Sequence, residues 1–282
     1  MAKKRPINNI IVVSDLHCGC QLGLSSADGV SMDDGGTYLP SKLQMKVKAM
    51  WDEFWGEWVP MVCRKEPFAV VVNGDAIDGV HHGSKTQISQ NLTDQRKLAE
   101  KILYPVVQAC EGRYYHIRGT EAHVGKSAEE EESLAKSLGA RPDDEGRYAR
   151  WELWVMIGNA LAHITHHIGT CGSMAYETSS PQKELEQLYV EAARWGERPP
   201  DVIVRSHRHR NVETRIQTKR GFATACVTAG WQLKTPFVFK VAGGRVTQPQ
   251  IGGSLVRYGD EDVYTRHKIW EVKRPKAEIV KL

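Results

Sequence analysis

The sequence predicts an α/β protein (α+β by some schemes) made of two stacked mixed β-sheets flanked by helices. Three observations carry this. Apolar runs rich in β-branched residues recur at Ile10–Val13, Phe68–Val72 and Val202–Val204, with a similar run at Tyr114–Ile117. Each ends abruptly in polar residues, as strands buried on both faces do. Segments with helical spacing separate these runs. After residue 211 the pattern changes to short strands, several glycines and no long helix. Strand–helix alternation followed by consecutive strands fits one domain, 1–282, in which 211–282 completes the second sheet.

The elements follow in order. Ile10–Val13 reads as a buried strand leading into Ser14-Asp15-Leu16-His17. Residues 18–40, rich in Gly, Ser and Asp, read as a long loop, the kind that serves function or moves. Leu43, Val47, Met50, Trp51, Phe54, Trp58 and Met61 place an amphipathic helix over 41–65, its aromatics packed inward. Phe68–Val72 is the second strand and ends in Asn73-Gly74-Asp75. A helix over 93–110 contains Pro105, a candidate kink. The strand Tyr114–Ile117 runs into Arg118-Gly119-Thr120-Glu121. Residues 127–138 read as a helix whose acidic start, Glu129 to Glu132, suits an N-terminus and a solvated face. Strands are expected at 148–157 and 160–166. Pro181 then opens a helix with Leu185, Leu188, Ala192 and Trp195 as its buried stripe. Val202–Val204 ends in Ser206-His207-Arg208-His209.

Bulk properties narrow the class. The chain has 282 residues, 41% hydrophobic and 26% charged, which is ordinary soluble usage with enough apolar mass for a sizeable core. A net charge of +4 permits a phosphate-rich partner without demanding one. The cysteines (Cys18, Cys20, Cys63, Cys110, Cys171, Cys226) form no C-x-x-C pair, so free thiols in a reducing, cytoplasmic compartment are expected. A soft-metal role for Cys18 and Cys20, close behind His17, is the alternative. No apolar stretch approaches membrane-spanning length, and Ile10–Val13 is too short for a signal-peptide core.

The chemistry gathers at strand ends, where open α/β sheets bind ligands. These positions carry Asp15 and His17, then Asp75, then Glu121 and His123, then His166 and His167, then His207 and His209. Six of the eleven histidines fall in these clusters. Carboxylates mixed with imidazoles suit Mn, Fe, Zn, Co or Ni better than Mg or Ca. An aspartate bridging two such ions suits phosphoester hydrolysis, which needs a hydroxide at neutral pH and cations to neutralise the phosphoryl oxygens. A nearby imidazole can protonate the leaving alkoxide.

The order Asp15-Leu16-His17, Gly74-Asp75, Gly119-Thr120-Glu121-Ala122-His123, His166, Ser206-His207-Arg208-His209 resembles the signature D-x-H, G-D, G-N-H-(D/E), H, G-H-x-H of the calcineurin-like metallophosphoesterases. The resemblance spans residues 10–210 and implies a metallophosphoesterase-like sandwich with a dinuclear centre, manganese first among the candidate metals. It implies that Asp15, His17 and His209 hold one ion, that Asp75 bridges, and that His166, rather than His167, holds the second with His207. It places Asp78 where the family has a supporting or substrate-side acid, which a plain loop carboxylate would equally explain; Thr120, His167 and Arg208 fall at comparable positions. Two departures stand out. Ser206 replaces a glycine, and the third block carries Thr120 and Glu121 where the family has an Asn ligand and a catalytic His. A rearranged loop is the expectation, with Glu121 or Thr120 supporting the second ion and His123 taking the catalytic role.

The leading reading is therefore a metal-dependent phosphodiesterase or phosphatase. Nucleic acid or a nucleotide is a candidate substrate, given the cations His81, His82 and Lys85 in 79–90 and Arg205, Arg208, Arg210, Arg215, Lys219 and Arg220 in 205–220. A non-catalytic binding scaffold on the same fold is the alternative. A structural zinc protein is disfavoured by Asp ligands without Cys pairs.

Overall fold

A computed structural model of the protein describes residues 6–169, 173–240 and 245–280; Cys171 and the first five residues lie outside them. In the first third the chain forms β1 (Asn9–Val13), the small hairpin β2 (Val30–Ser31) and β3 (Thr37–Tyr38), then α1 (Lys42–Glu53), a π-helical turn (Phe54–Trp58) and α2 (Val59–Val62). It continues through β4 (Phe68–Asn73), α3 (Leu92–Ala109), β5 (Tyr114–Ile117), α4 (Glu121–Val124) and α5 (Glu129–Ser137). Then come β6 (Ala149–Arg150), β7 (Leu153–Ile157), β8 (Ala160–Ile164), α6 (Ser179–Trp195) and β9 (Val202–Arg205). The strands β10 (Val212–Thr218), β11 (Gly221–Val227), β12 (Gln250–Gly259) and β13 (Asp262–Glu271) close the fold.

These strands form the two expected mixed sheets. The first runs β13-β12-β1-β4-β5-β6, with β1, β4, β5 and β6 parallel; the second runs β10-β11-β9-β8-β7, with β11, β9 and β8 parallel. Period-two alternation explains the continuous apolar runs. Ile10 and Val12 point between the sheets with Val71, Ile164 and Val204, while Ile11 and Val13 point the other way into the helix-covered core with Val47, Leu98 and Leu134. On the far side α6 covers the second sheet through Leu185 against Ile203 and Ala225. The result is helix, sheet, sheet, helix. Ser41 caps α1 in a capping box with Gln44, and Asn91 caps α3.

Several expectations change. The strands after residue 211 do not all complete the second sheet: β10 and β11 join it, but β12 pairs with β1 and carries β13 onto the first sheet. The strand expected over 148–157 is two pieces, because the chain leaves the first sheet after β6 and enters the second at β7. The buried stripes were overdrawn at their ends, where Leu43, Met61 and Trp195 are exposed. The acidic run is not a solvated face throughout, since Glu131 is fully buried. At the flank of the sandwich, Glu213 of β10 accepts from Thr265 and pairs with His267 Nε2 at 2.9 Å, both on β13, so a side-chain clasp joins an edge strand of each sheet.

Candidate metal centre

Five parallel strands, β1, β4 and β5 from one sheet and β8 and β9 from the other, end at one rim of the sandwich. The residues just past them converge. Asp15, His17 and His209 offer donor atoms within 4.8 Å of one another, and so do Asp75, His166 and His207. A third set, His17, Asp75 and His123, links these two.

The backbone is bent to achieve it. Asp15, His17, Asp75, His207 and His209 all hold positive φ, between 45° and 72°, where a residue with a Cβ is strained by about 1–3 kcal/mol. The rest of the fold must impose these conformations. Asp15 N donates to the Gly74 carbonyl and His17 N to the Asp75 carbonyl, which locks the two loops together. Asn73 spans the sheets, donating to the Thr165 carbonyl and to Ser206 Oγ at 2.6 Å. The serine that replaces the family's glycine is thus a strut. Gly119 is obligatory, since a Cβ there would meet Asp75 Oδ1 at 2.1 Å.

The donor chemistry fits a cation. His166 Nδ1 lies 2.6 Å from the Asn73 carbonyl, to which it must donate. In the neutral ring Nε2 then carries a lone pair, and it faces Asp75 Oδ2 at 3.1 Å. Lone pair against carboxylate is repulsive unless a positive charge intervenes. Asp15 Oδ1 is buried without a hydrogen-bond partner, 3.3 Å from His209 Nε2. His17 and His209 oppose their Nε2 atoms at 3.2 Å. Without a metal ion, a proton supplies that charge. Burial opposes a charge on His166, yet Asp75 beside it pulls its pKa up to about 10. Burial likewise opposes ionisation of Asp75 and Asp15, yet His166 and His209 respectively hold them well below the usual carboxylate range.

The remaining sequence candidates separate. Asp78 supports the site: its Oδ1 lies 3.2 Å from His17 Nδ1 (a contact lacking hydrogen-bond geometry) and accepts from Gln232, while its carbonyl accepts from His123 Nδ1 at 2.6 Å. Thr120 stands where the expected Asn would, its hydroxyl 3.1 Å from His207 Nδ1, 3.3 Å from Asp75 Oδ2 and 3.4 Å from His166 Nε2. Glu121 is not brought to the cluster. It is exposed on the first turn of α4 and belongs to none of the donor groups among the described residues. His167 is exposed beside His166 and His207. Cys18 and Cys20 are buried and join no donor group among the described residues. His81, in sequence only a loop cation, has both ring nitrogens buried without hydrogen-bond partners; its Nε2 lies 3.6 Å from Asp78 Oδ2, its ring lies 4.3 Å from that of His123, and the three residues form a further donor group.

A cleft of about 500 Å³ opens over the cluster, lined by His17, Asp75, His123, His207 and His209 on the floor and by His82, Phe237 and Gln248 higher up. Its cations are engaged by the protein. Arg208 donates to the Glu177 carbonyl and to Ser180, and Arg210 pairs with the Glu177 carboxylate. Elsewhere in 205–220, Arg205 pairs with Glu184, Arg215 with Glu213 and Arg220 with Asp201.

The chain is thus a two-sheet sandwich with carboxylates and imidazoles gathered at its strand ends. The chain is similar in structure to vacuolar protein sorting 29 from Cryptosporidium parvum (12% identity, 95% of this chain and 100% of that one, TM-score 0.36). It is similar also to a predicted phosphoesterase from Streptococcus pneumoniae (12% identity, 93% and 98%, TM-score 0.33) and to a Thermotoga maritima protein (11% identity, 94% and 100%, TM-score 0.38). No protein-family model matches the chain, and no curated protein matches it in sequence. At these scores the likenesses carry no argument about activity, and the chemistry must come from the side chains themselves.

Proposed function

We propose that this chain is a metal-dependent phosphoester hydrolase of the calcineurin-like type. The observation that carries the reading is the convergent donor geometry: His166 Nε2 and Asp75 Oδ2 facing each other at 3.1 Å, beside Asp15 Oδ1, which has no hydrogen-bond partner and lies 3.3 Å from His209 Nε2. Asp15, His17 and His209 would hold one transition-metal ion, His166 and His207 the second, and Asp75 both, with Thr120 Oγ1 beside the second. Manganese leads, with Fe, Zn, Ni and Co as the others such donors accept. Bound there, the ions would supply Lewis acidity that activates water at neutral pH and neutralises phosphoryl oxygens.

His123 is the imidazole assigned to the leaving group. Asp78 fixes its ring through Nδ1, so Nε2 is the atom left to carry the proton. Burial lowers its pKa to about 4, and the negative charge of a phosphoester beside the ring is what would restore the proton. Substrate is bound in the cleft against His81, His82 and Phe237. A diester, in a nucleotide or nucleic acid, is the substrate, although the arginines of 205–220 are largely neutralised within the protein.

Turnover of a panel of phosphomonoesters and phosphodiesters, each with Mn, Fe, Zn, Ni and Co, tests this. Metal-dependent hydrolysis is the expected result, with diesters favoured. No ion bound near Asp75 after metal soaking and no hydrolysis with any metal would overturn it in favour of a binding scaffold, the reading that Thr120 in place of the family's Asn favours.

A further inference from the structure

Glu131 sits on α5, fully buried, and has no lysine or arginine partner among the described residues. Its carboxylate is occupied by two backbone amides. Oε1 accepts from Ala76 N at 3.0 Å and Oε2 from Gly119 N at 2.6 Å. The imidazole of His116, itself fully buried, lies 3.5 Å from Oε1, and its other nitrogen is 2.6 Å from the Tyr114 hydroxyl. Burying a carboxylate is costly unless its bonds do something specific.

Those two amides flank the centre. Ala76 directly follows Asp75, and Gly119 directly precedes Thr120. One carboxylate therefore ties the loop after β4 to the loop after β5, one oxygen to each. Between them, Thr120 N donates to Asp75 Oδ1 at 2.7 Å. Asp75 holds a left-handed backbone, φ 53°, that must be fixed from outside. The bond from Ala76 N fixes it on the C-terminal side.

We propose that Glu131 is the positioning residue of the metal pair, setting Asp75 and Thr120 in mutual register through their backbones without touching either ion. The inference rests on the metal reading above. Its neighbour provides the control. Glu132 also accepts two amides, from Tyr148 N at 2.9 Å and Ala149 N at 2.8 Å, but these belong to the approach to β6 and not to the rim.

The test compares Glu131→Gln with Glu132→Gln. In each, an amide nitrogen replaces one accepting oxygen. Direct titration with Mn and with Zn should show about 10–100-fold weaker binding for Glu131→Gln, the size found for residues that orient ligands. Glu132→Gln should melt lower and bind metal as the parent does. In the metal-free protein, amide exchange at Ala76 and Gly119 should quicken in Glu131→Gln only. Glu131→Asp, which withdraws the oxygens by one methylene, carries the same expectation if Glu131→Gln does not fold. Parental metal affinity in the Glu131 variant, or an equal loss in Glu132→Gln, overturns the proposal. If the parent itself binds no metal, the metal reading fails instead, and unchanged exchange at Ala76 and Gly119 then overturns the clamp independently.

Discussion

The rim and the flank both press imidazoles against carboxylates, and they are built on opposite plans. On the flank, His267 places Nδ1 2.8 Å from Ser254 Oγ and Nε2 2.9 Å from Glu213, whose carboxylate also takes the Thr265 hydroxyl. Each ring nitrogen has a partner, and the cluster is complete. At the rim, Asp15 Oδ1 has no hydrogen-bond partner, His166 Nε2 and Asp75 Oδ2 converge at 3.1 Å, and His17 and His209 oppose ring nitrogens. The residue types are alike. What separates a clasp from a cation site is whether donors and acceptors alternate or lone pairs converge.

The sharpest break of that contrast is Asp75→Asn. Its carboxylate belongs to the donor set with His166 and His207 and also groups with His17 and His123, and losing several kcal/mol of charge stabilisation should cut turnover by on the order of 10⁴-fold. The metal-free protein should still melt near the parent. Most of the turnover surviving would show that Asp75 does not serve both ions.

His123→Ala comes next. A proton donor predicts a loss of about 10²–10⁴-fold on esters with basic leaving groups. On activated aryl esters the loss should be smaller, with metal content unchanged. Loss of one ion would instead make His123 a ligand, grouped as it is with His17 and Asp75.

A finer cut divides the rim itself. Elemental analysis of Asp15→Asn and of His207→Ala should each find about one ion where the parent holds two, and a different site emptied in each. Both variants losing both ions would mean that the two donor sets are not separable.

The smallest effect belongs to the flank. Burial opposes a charge on Glu213, but His267 and Thr265 hold its pKa down to about 2. A depressed carboxylate contributes stability above its unfolded value of about 4.5 and loses it as pH falls through about 2. Glu213→Gln should therefore flatten the acid limb of the stability curve between those values and leave metal binding untouched. A change in metal affinity would dissolve the distinction between the two clusters.

The strand runs were legible because both faces of β1, β4 and β9 are covered, so burial is written as unbroken apolar sequence. The candidate ligands were legible for the same reason: polar residues that stop such runs stand at strand ends. Other features follow from tertiary choices that leave no local trace. Nothing in Tyr148 to Ile157 marks the point where the chain changes sheets. Glu131 and Glu132 look alike in sequence, and only the fold turns one toward the rim. Thr120 kept its place while Glu121 did not, because the helical turn of α4 starts between them and carries Glu121 outward. Asn73 and Ser206 read as loop residues, and their bond across the two sheets could be seen only once both sheets were in place.

The left-handed backbone at Asp15, His17, Asp75, His207 and His209 has a further consequence. Glycine would relieve backbone strain at each of these positions, so a set of strain-relieving replacements falls on the residues its chemistry can least release. Selection for thermal robustness alone would not protect this rim. A stabilised descendant that had lost its metals would keep both sheets, both cores and the flank clasp, and would differ from its parent at a handful of loop positions.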